Sequence, residues 1–248
     1  MDESLNPPGA SLQQAEPLEE AIRSTSTEVL KTLVLDPQFN EDLALALLNR
    51  SDLPADIFEQ LSKSSVVRKS RKAKLAIVSH LKAPRYVSLA LLRQLFTFDL
   101  MKVALTPTVA GDIKAAADEV LIQRLESLSP GERLSLARRA SGRVVAALLL
   151  DPELRVLKAA LQSPRLTEAL VIRALMSAGC SAALVRAVCE HPKWSLRREI
   201  RIALLRNAKT PANFAQEFGQ GVPGGLLKEI LQNSRLPENV KSRLLNPE

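Results

Sequence analysis

Aromatic residues are nearly missing from this chain: one Trp, one Tyr and six Phe, or 3% of 248 residues. A β-sandwich draws on aromatic and β-branched strands for its core, so this poverty speaks against an all-β fold. Glycine is scarce as well, with nine residues, four of them between Gly219 and Gly225, so tight β-turns have little to build on. Only two cysteines are present, Cys180 and Cys189, on what reads as one helical segment, and they support neither a disulfide framework nor a zinc or iron–sulfur site. His80 and His191 are the only histidines, each ahead of a proline, and a buried or capping role suits them better than metal binding. No stretch approaches about 20 uninterrupted apolar residues, the length that spans a bilayer. The opening "MDESLNPPGASLQQAEP" has no apolar run, which argues against a signal or transit peptide, so a cytoplasmic protein without membrane, metal or cofactor is expected.

Leu, Ala, Val and Ile are abundant, within 46% hydrophobic and 25% charged residues. That composition suits helices packed through aliphatic ridges. The chain also repeats itself. With Pro54, Pro84, Thr167, Pro211 and Pro237 as anchors, three residues on come Ile57, Val87, Leu170, Phe214 and Val240, and seven on come Leu61, Leu91, Ala174, Phe218 and Leu244. Residues three to four apart share a helix face, so each anchor opens the first turn of a helix. Upstream, Leu48, Val78, Leu161, Leu205 and Leu231 recur six before the anchor, and Ala46, Ala76, Ala159 and Ala203 recur eight before it, with Glu229 breaking the rule. A small residue there predicts close approach of a neighbouring helix. Pro37, Pro107, Pro152 and Pro192 punctuate the other end of the unit.

These helix–turn–helix units predict an all-α fold, an α-solenoid of about five to six stacked HEAT-like repeats over residues 18–248, behind a disordered acidic tail at 1–17. An irregular unit is expected at about 98–142, holding a longer helix "DIKAAADEVLIQRLESL" and a degenerate turn at "SPGERL", and a short terminal unit at 223–245, with "GQGVPGG" as a hinge before it. Residues 28 to 245 resemble the HEAT-like and armadillo-like α-solenoids. The turns "LLRNAKTPANF" and "ILQNSRLPENV" also resemble the leucine-rich repeat variant, a bacterial short helical repeat. The resemblance implies an extended binding surface. The iron–sulfur cluster of the repeat-variant family is not implied, since its cysteine cluster is absent here.

Charge is unevenly spread. Residues 1 to 28 hold six acids and one Arg, so the net charge of +7 leaves +12 on the remainder. From Ser62 to Phe98 nine Lys and Arg occur without one Asp or Glu, among them Arg68, Arg71, Lys72 and Lys74. Such a run implies a polyanionic partner or an acidic neighbouring surface within the fold. A second cluster holds Arg197, Arg198 and Arg201, interrupted only by Glu199. Arg71 and Arg198 fall at the same distance from their anchors, as do Lys74 and Arg201, so these residues, extended by Arg155 and Lys158, form a candidate basic stripe. The other reading is a solvated face whose Lys and Arg stems cover apolar neighbours. Trp194, beside Lys193, is either a stacking platform or a packing wedge.

No catalytic constellation is present: no G-x-S-x-G elbow, no Walker loop, no H-E-x-x-H. Asp118 and Glu119 are adjacent and therefore face apart on a helix. The expectation is a non-enzymatic scaffold whose basic surface binds a protein partner with an acidic surface or segment. The alternative is a sequence-independent nucleic-acid binder that grips phosphates.

Overall fold

The computed structural model describes residues 15–246, and the first fourteen residues of the expected acidic tail lie outside it. Eighteen α-helices and one 3-10 turn account for the secondary structure, with no strand among the described residues. The described residues fall into two compact units, one ending at Leu121 and the other beginning at Ile122, inside the stretch where the repeat pattern blurs. The two units are described in turn.

The first unit holds α1 (Ala15–Arg23), α2 (Thr27–Leu35), α3 (Glu41–Leu48), α4 (Ala55–Lys63), α5 (Ser65–Lys69), α6 (Arg71–Ser79), α7 (Arg85–Leu92), α8 (Thr97–Leu105) and most of α9 (Gly111–Arg124). Among the described residues α1 already covers Ala15, within the expected tail. Two rows form by packing between near neighbours. One runs α1, α3, α6, α8 and the other α2, α4, α7. The short α5 leans on α3, α4 and α6.

The second unit follows a 3-10 turn at Leu125–Ser127 and holds α10 (Pro130–Arg139), α11 (Gly142–Leu148), α12 (Leu154–Leu161), α13 (Glu168–Met176), α14 (Ala182–Cys189), α15 (Arg198–Arg206), α16 (Ala212–Gln220), α17 (Gly224–Gln232) and α18 (Glu238–Leu245). One row runs α10, α12, α14, and the other α11, α13, α15, α17, with α16 packed on α15 and α18 closing on α16 and α17. "SPGERL" proves to be a helix start rather than a turn. Ser129 and Glu132 close a capping box on α10, with Pro130 in its first turn.

The anchor prolines sit one residue earlier than expected. Pro54, Pro84, Pro211 and Pro237 occupy the N-cap, where Pro supplies a carbonyl to the first turn and loses no needed N–H. The amides of Ile57, Val87 and Ala215 bond to the carbonyls of Pro54, Pro84 and Pro211 at 3.2, 3.0 and 3.0 Å. The leucine and valine six before each anchor are all buried, as are the residues seven after it. The alanines eight before it are not the close-approach positions: Ala46 is exposed, Ala76 and Ala159 are half-buried, and only Ala203 is covered. The seam runs one residue further on, through Leu47, Ile77, Ala160, Leu204 and Ile230, because 3.6 residues per turn carries the apolar stripe round the helix.

Side chains in the turns stitch each row together. The last carbonyls of a helix have no intrahelical partner, and here the next helix of the row supplies one. In the first unit Arg50 donates to the carbonyls of Ile22 and Ser24. A bond of another kind joins helix to helix: Gln60, within α4, donates to the Lys31 carbonyl of α2 at 3.0 Å. His80 Nδ1 accepts from the Lys82 amide at 3.1 Å, which leaves Nε2 to donate to the Arg50 carbonyl at 2.8 Å. In the second unit Arg165 reaches Arg139, Trp194 Nε1 reaches Leu161 at 2.9 Å, Asn207 reaches Leu175 at 2.7 Å and Ser234 reaches Leu205 at 2.6 Å. Each bond links residues 26 to 33 apart, one repeat length. The buried Asp151 adds an ion pair with Arg133 at 2.7 Å that ties α10 to the turn before α12.

Gly142 is required by close approach, since a Cβ there would lie 2.7 Å from the Arg165 carbonyl oxygen. Of "GQGVPGG", only Gly221, Val222 and Pro223 link α16 to α17, with Pro223 at the N-cap of α17; Gly219 and Gln220 end α16, and Gly224 and Gly225 open α17. Cys180 lies in the turn ahead of α14 rather than on the helix with Cys189. Both thiols are free and buried.

Candidate basic surfaces

In the first unit the acid-free run is partly neutralised by carboxylates of the helices around it. Arg71 pairs with Asp99 of α8 at 2.6 Å, Lys72 with Glu41 of α3 at 3.8 Å, and Arg85 with Asp112 of α9 at 2.8 Å. Lys63 pairs with Glu59 of its own helix at 2.6 Å, and Tyr86 donates to the same carboxylate at 3.0 Å. These two bonds hold Glu59 below the usual carboxylate range, and the Glu59 hydrogen bond pushes Tyr86 up. Arg93 is engaged too. The acidic neighbouring surface is therefore real for much of the run. Arg71 also lies with its guanidinium 5.1 Å from the Phe96 ring centroid.

Arg68, Lys69 and Lys74 remain without a side-chain partner among the described residues. Their presentation follows from two serines. Ser64 ends α4 and caps α5, accepting from the Val67 amide at 3.2 Å, and Ser70 ends α5 and caps α6, accepting from the Ala73 amide at 2.9 Å. Between those caps only Val67 is buried, so α5 serves as a short platform for Arg68 and Lys69. Lys69 was not among the residues that repeat spacing singles out; it shares no register with another copy.

In the second unit the cations are divided between the two rows. Arg155 and Lys158 lie on α12, in the row of α10 and α14, whereas Arg198 and Arg201 lie on α15, in the row of α11, α13 and α17. Three helices, α13, α14 and α15, separate the anchors Thr167 and Pro211, and an odd number moves the later anchor pair into the other row. Arg155 and Lys158 therefore do not extend a stripe through Arg198.

Trp194 is 2% exposed, with Nε1 bonded to the Leu161 carbonyl and Lys193 Nζ 4.0 Å from its ring centroid. It is a packing wedge; no face is left on which a base could stack. Arg201 is also spoken for. Its Nε donates to the Ser195 carbonyl at 2.6 Å and its guanidinium lies 5.2 Å from the centre of the Phe218 ring. Arg155, Lys158, Arg197 and Arg198 are exposed and have no side-chain partner among the described residues. Arg197 and Arg198 stand at the N-terminus of α15, the positive end of the helix dipole, where their charges add to the local field.

Asp118 is buried and Glu119 exposed, on opposite sides of α9. A cleft of about 920 Å³ lies among α16, α17 and α18, and among the described residues its lining holds Lys228 and Arg243 but no His, Cys, Asp or Glu. No group of three or more His, Cys, Asp or Glu that could hold a metal ion occurs among the described residues, and none of their helices is long and apolar enough to cross a membrane. Burial pushes the Cys189 thiol up to about 12 and the Cys180 thiol up as well, which keeps both protonated and poor as nucleophiles. What the arrangement can do is attract anions. Comparison of the chain with protein-family models, curated proteins and solved structures gives no match.

Proposed function

We propose that this protein is a non-enzymatic, cytoplasmic helical-repeat scaffold that binds an acidic surface or segment of a partner protein. The two rows of near-neighbour helices in each unit support a HEAT-like α-solenoid architecture, in which turn-to-carbonyl bonds fix one repeat on the next. One observation carries the functional reading. After internal pairing is accounted for, Arg68, Lys69 and Lys74 in the first unit and Arg155, Lys158, Arg197 and Arg198 in the second keep charges that no described residue neutralises. Unpaired cations on fixed helices steer and hold an anionic partner. The covered ring of Trp194 and the shortage of exposed aromatics favour carboxylates over unstacked bases as that partner.

The test is binding of polyglutamate and of duplex DNA to the purified protein across a salt series. Binding of polyglutamate that weakens about tenfold or more on reversal of Arg68, Lys69 and Lys74 to Glu is expected. Tighter binding of DNA with a steep salt slope would replace this reading with phosphate recognition. No binding of either at low salt would remove it.

A further inference from the structure

Leu196 is 70% exposed, in the loop between α14 and α15, and cations flank it on both sides. An exposed leucine costs little by itself, and single ones are normal. Its surroundings are what set this one apart. The loop that carries it is pinned at several points: Trp194 is buried and bonded to the Leu161 carbonyl, Ser195 Oγ donates to the His191 carbonyl at 2.8 Å, and Arg201 Nε holds the Ser195 carbonyl. The Arg197 amide bonds to the Trp194 carbonyl at 3.1 Å, and His191 Nδ1 accepts from the Lys193 amide at 3.1 Å. A flexible loop would hide its leucine or let it wander; this one holds Leu196 outward between Lys193 and Arg197 with Arg198 next. The only acid from Lys193 to Arg201 is Glu199.

We propose that the loop Lys193–Arg198 is a docking site for an acidic linear segment of a partner protein whose own apolar side chain covers Leu196. The inference rests on the acidic-partner reading and gives it a location and a second recognition element. Carboxylates of the segment meet Arg197 and Arg198, whose charges are unpaired and lie where the α15 dipole adds to them. The apolar side chain gains by removing Leu196 from water, a contact that bare polyanions and phosphates cannot supply. Because the loop is already fixed, little ordering entropy is lost on binding.

The probes are two fluorescein-labelled peptides, Glu-Glu-Leu repeated four times and Glu-Glu-Ser repeated four times, with a single-stranded DNA of equal charge as the third arm. The wild-type protein is expected to bind the leucine peptide about tenfold more tightly than the serine peptide, the order that burying part of one leucine yields. Leu196→Ser should erase that preference while leaving the serine-peptide affinity in place. Arg197→Glu with Arg198→Glu should abolish both, and circular dichroism together with the fluorescence of Trp194 reports whether each variant is folded. A leucine preference that survives Leu196→Ser overturns the proposal, as does tighter binding of the DNA that is lost in the Arg197 and Arg198 reversal. Peptide binding lost only on reversal of Arg68, Lys69 and Lys74 leaves the general acidic-partner reading standing and this location wrong. Absence of peptide binding at low salt overturns both.

Discussion

Arg71 donates from Nε and Nη2 to the two carboxylate oxygens of Asp99, at 2.6 and 2.9 Å, and Asp99 is buried. The two residues are 28 apart in sequence, and the bond joins the N-terminal turns of α6 and α8. A residue that spacing marks as a ligand-binding cation is thus committed to the fold. Asp99→Asn keeps the shape and loses the charge, and is expected to lower the urea-denaturation midpoint, most at low salt because Arg71 is largely solvated. Combining it with Arg71→Ala should add little beyond the single changes, since they remove the same interaction. Reversal of Arg71 would therefore report on folding rather than binding.

The stitching of rows through turn side chains predicts a graded response at Trp194. Trp194→Phe keeps most of the buried ring but orphans the Leu161 carbonyl, and should cost about 1 kcal/mol. Trp194→Ala also opens a cavity in a fully covered position and should cost about 3–5 kcal/mol. Equal losses in the two variants by thermal or chemical denaturation would show that the N–H bond, not the packing, holds the loop.

Two glycines at helix starts should behave oppositely. An alanine at 142 drives its Cβ against the Arg165 backbone oxygen, whereas at 131 nothing lies within 4 Å. Gly142→Ala should destabilise by about 1–3 kcal/mol and Gly131→Ala should be neutral or stabilise by up to about 1 kcal/mol. Denaturation midpoints of the two variants check this directly.

Burial, with the charge of Lys193 second, lowers the pKa of His191 below its ordinary value. The unfolded chain then binds the proton more readily than the folded one, so the stabilising contribution is full above the unfolded value of about 6.5 and falls as pH drops through that region towards the folded value. His191→Asn should keep the turn, because an Asn oxygen takes the same i+2 amide as in the Asn207–Lys209 turn at 2.9 Å, and should remove this pH dependence. Asp52 acts in a separate window. Its bond to Arg50 holds the carboxyl at about 2, so its contribution is present above the usual carboxylate value and is lost as pH falls towards 2. Stability measured from pH 8 to pH 2 should show the first loss vanish in His191→Asn and the second persist.

Cys180 and Cys189 should resist alkylation in the native state, since burial raises both thiols and keeps them from solvent. Iodoacetamide labelling at pH 8 is expected only after denaturant is added.

Helical content, the placement of second helices behind proline, and the burial of positions such as Leu48, Leu161 and Leu244 follow from the sequence, because propensity, capping and apolar period act within one or two turns of chain. The same local logic placed the alanine seam one residue off and read "SPGERL" as a turn, since neither the exact angle of a stripe nor a capping box announces itself without the backbone. What the cations do was decided by the tertiary structure alone. Asp99 neutralises Arg71 from 28 residues away and Glu41 meets Lys72 from α3, so a run without a single acid is substantially paired. Three helices between Thr167 and Pro211 put Arg155 and Arg198 in different rows despite similar registers, and Trp194 is buried with its Nε1 on the Leu161 carbonyl while Leu196, two residues on, stays in solvent. Charge pairing and side-chain exposure depend on which distant segments become neighbours, and periodicity along one chain carries no information about that.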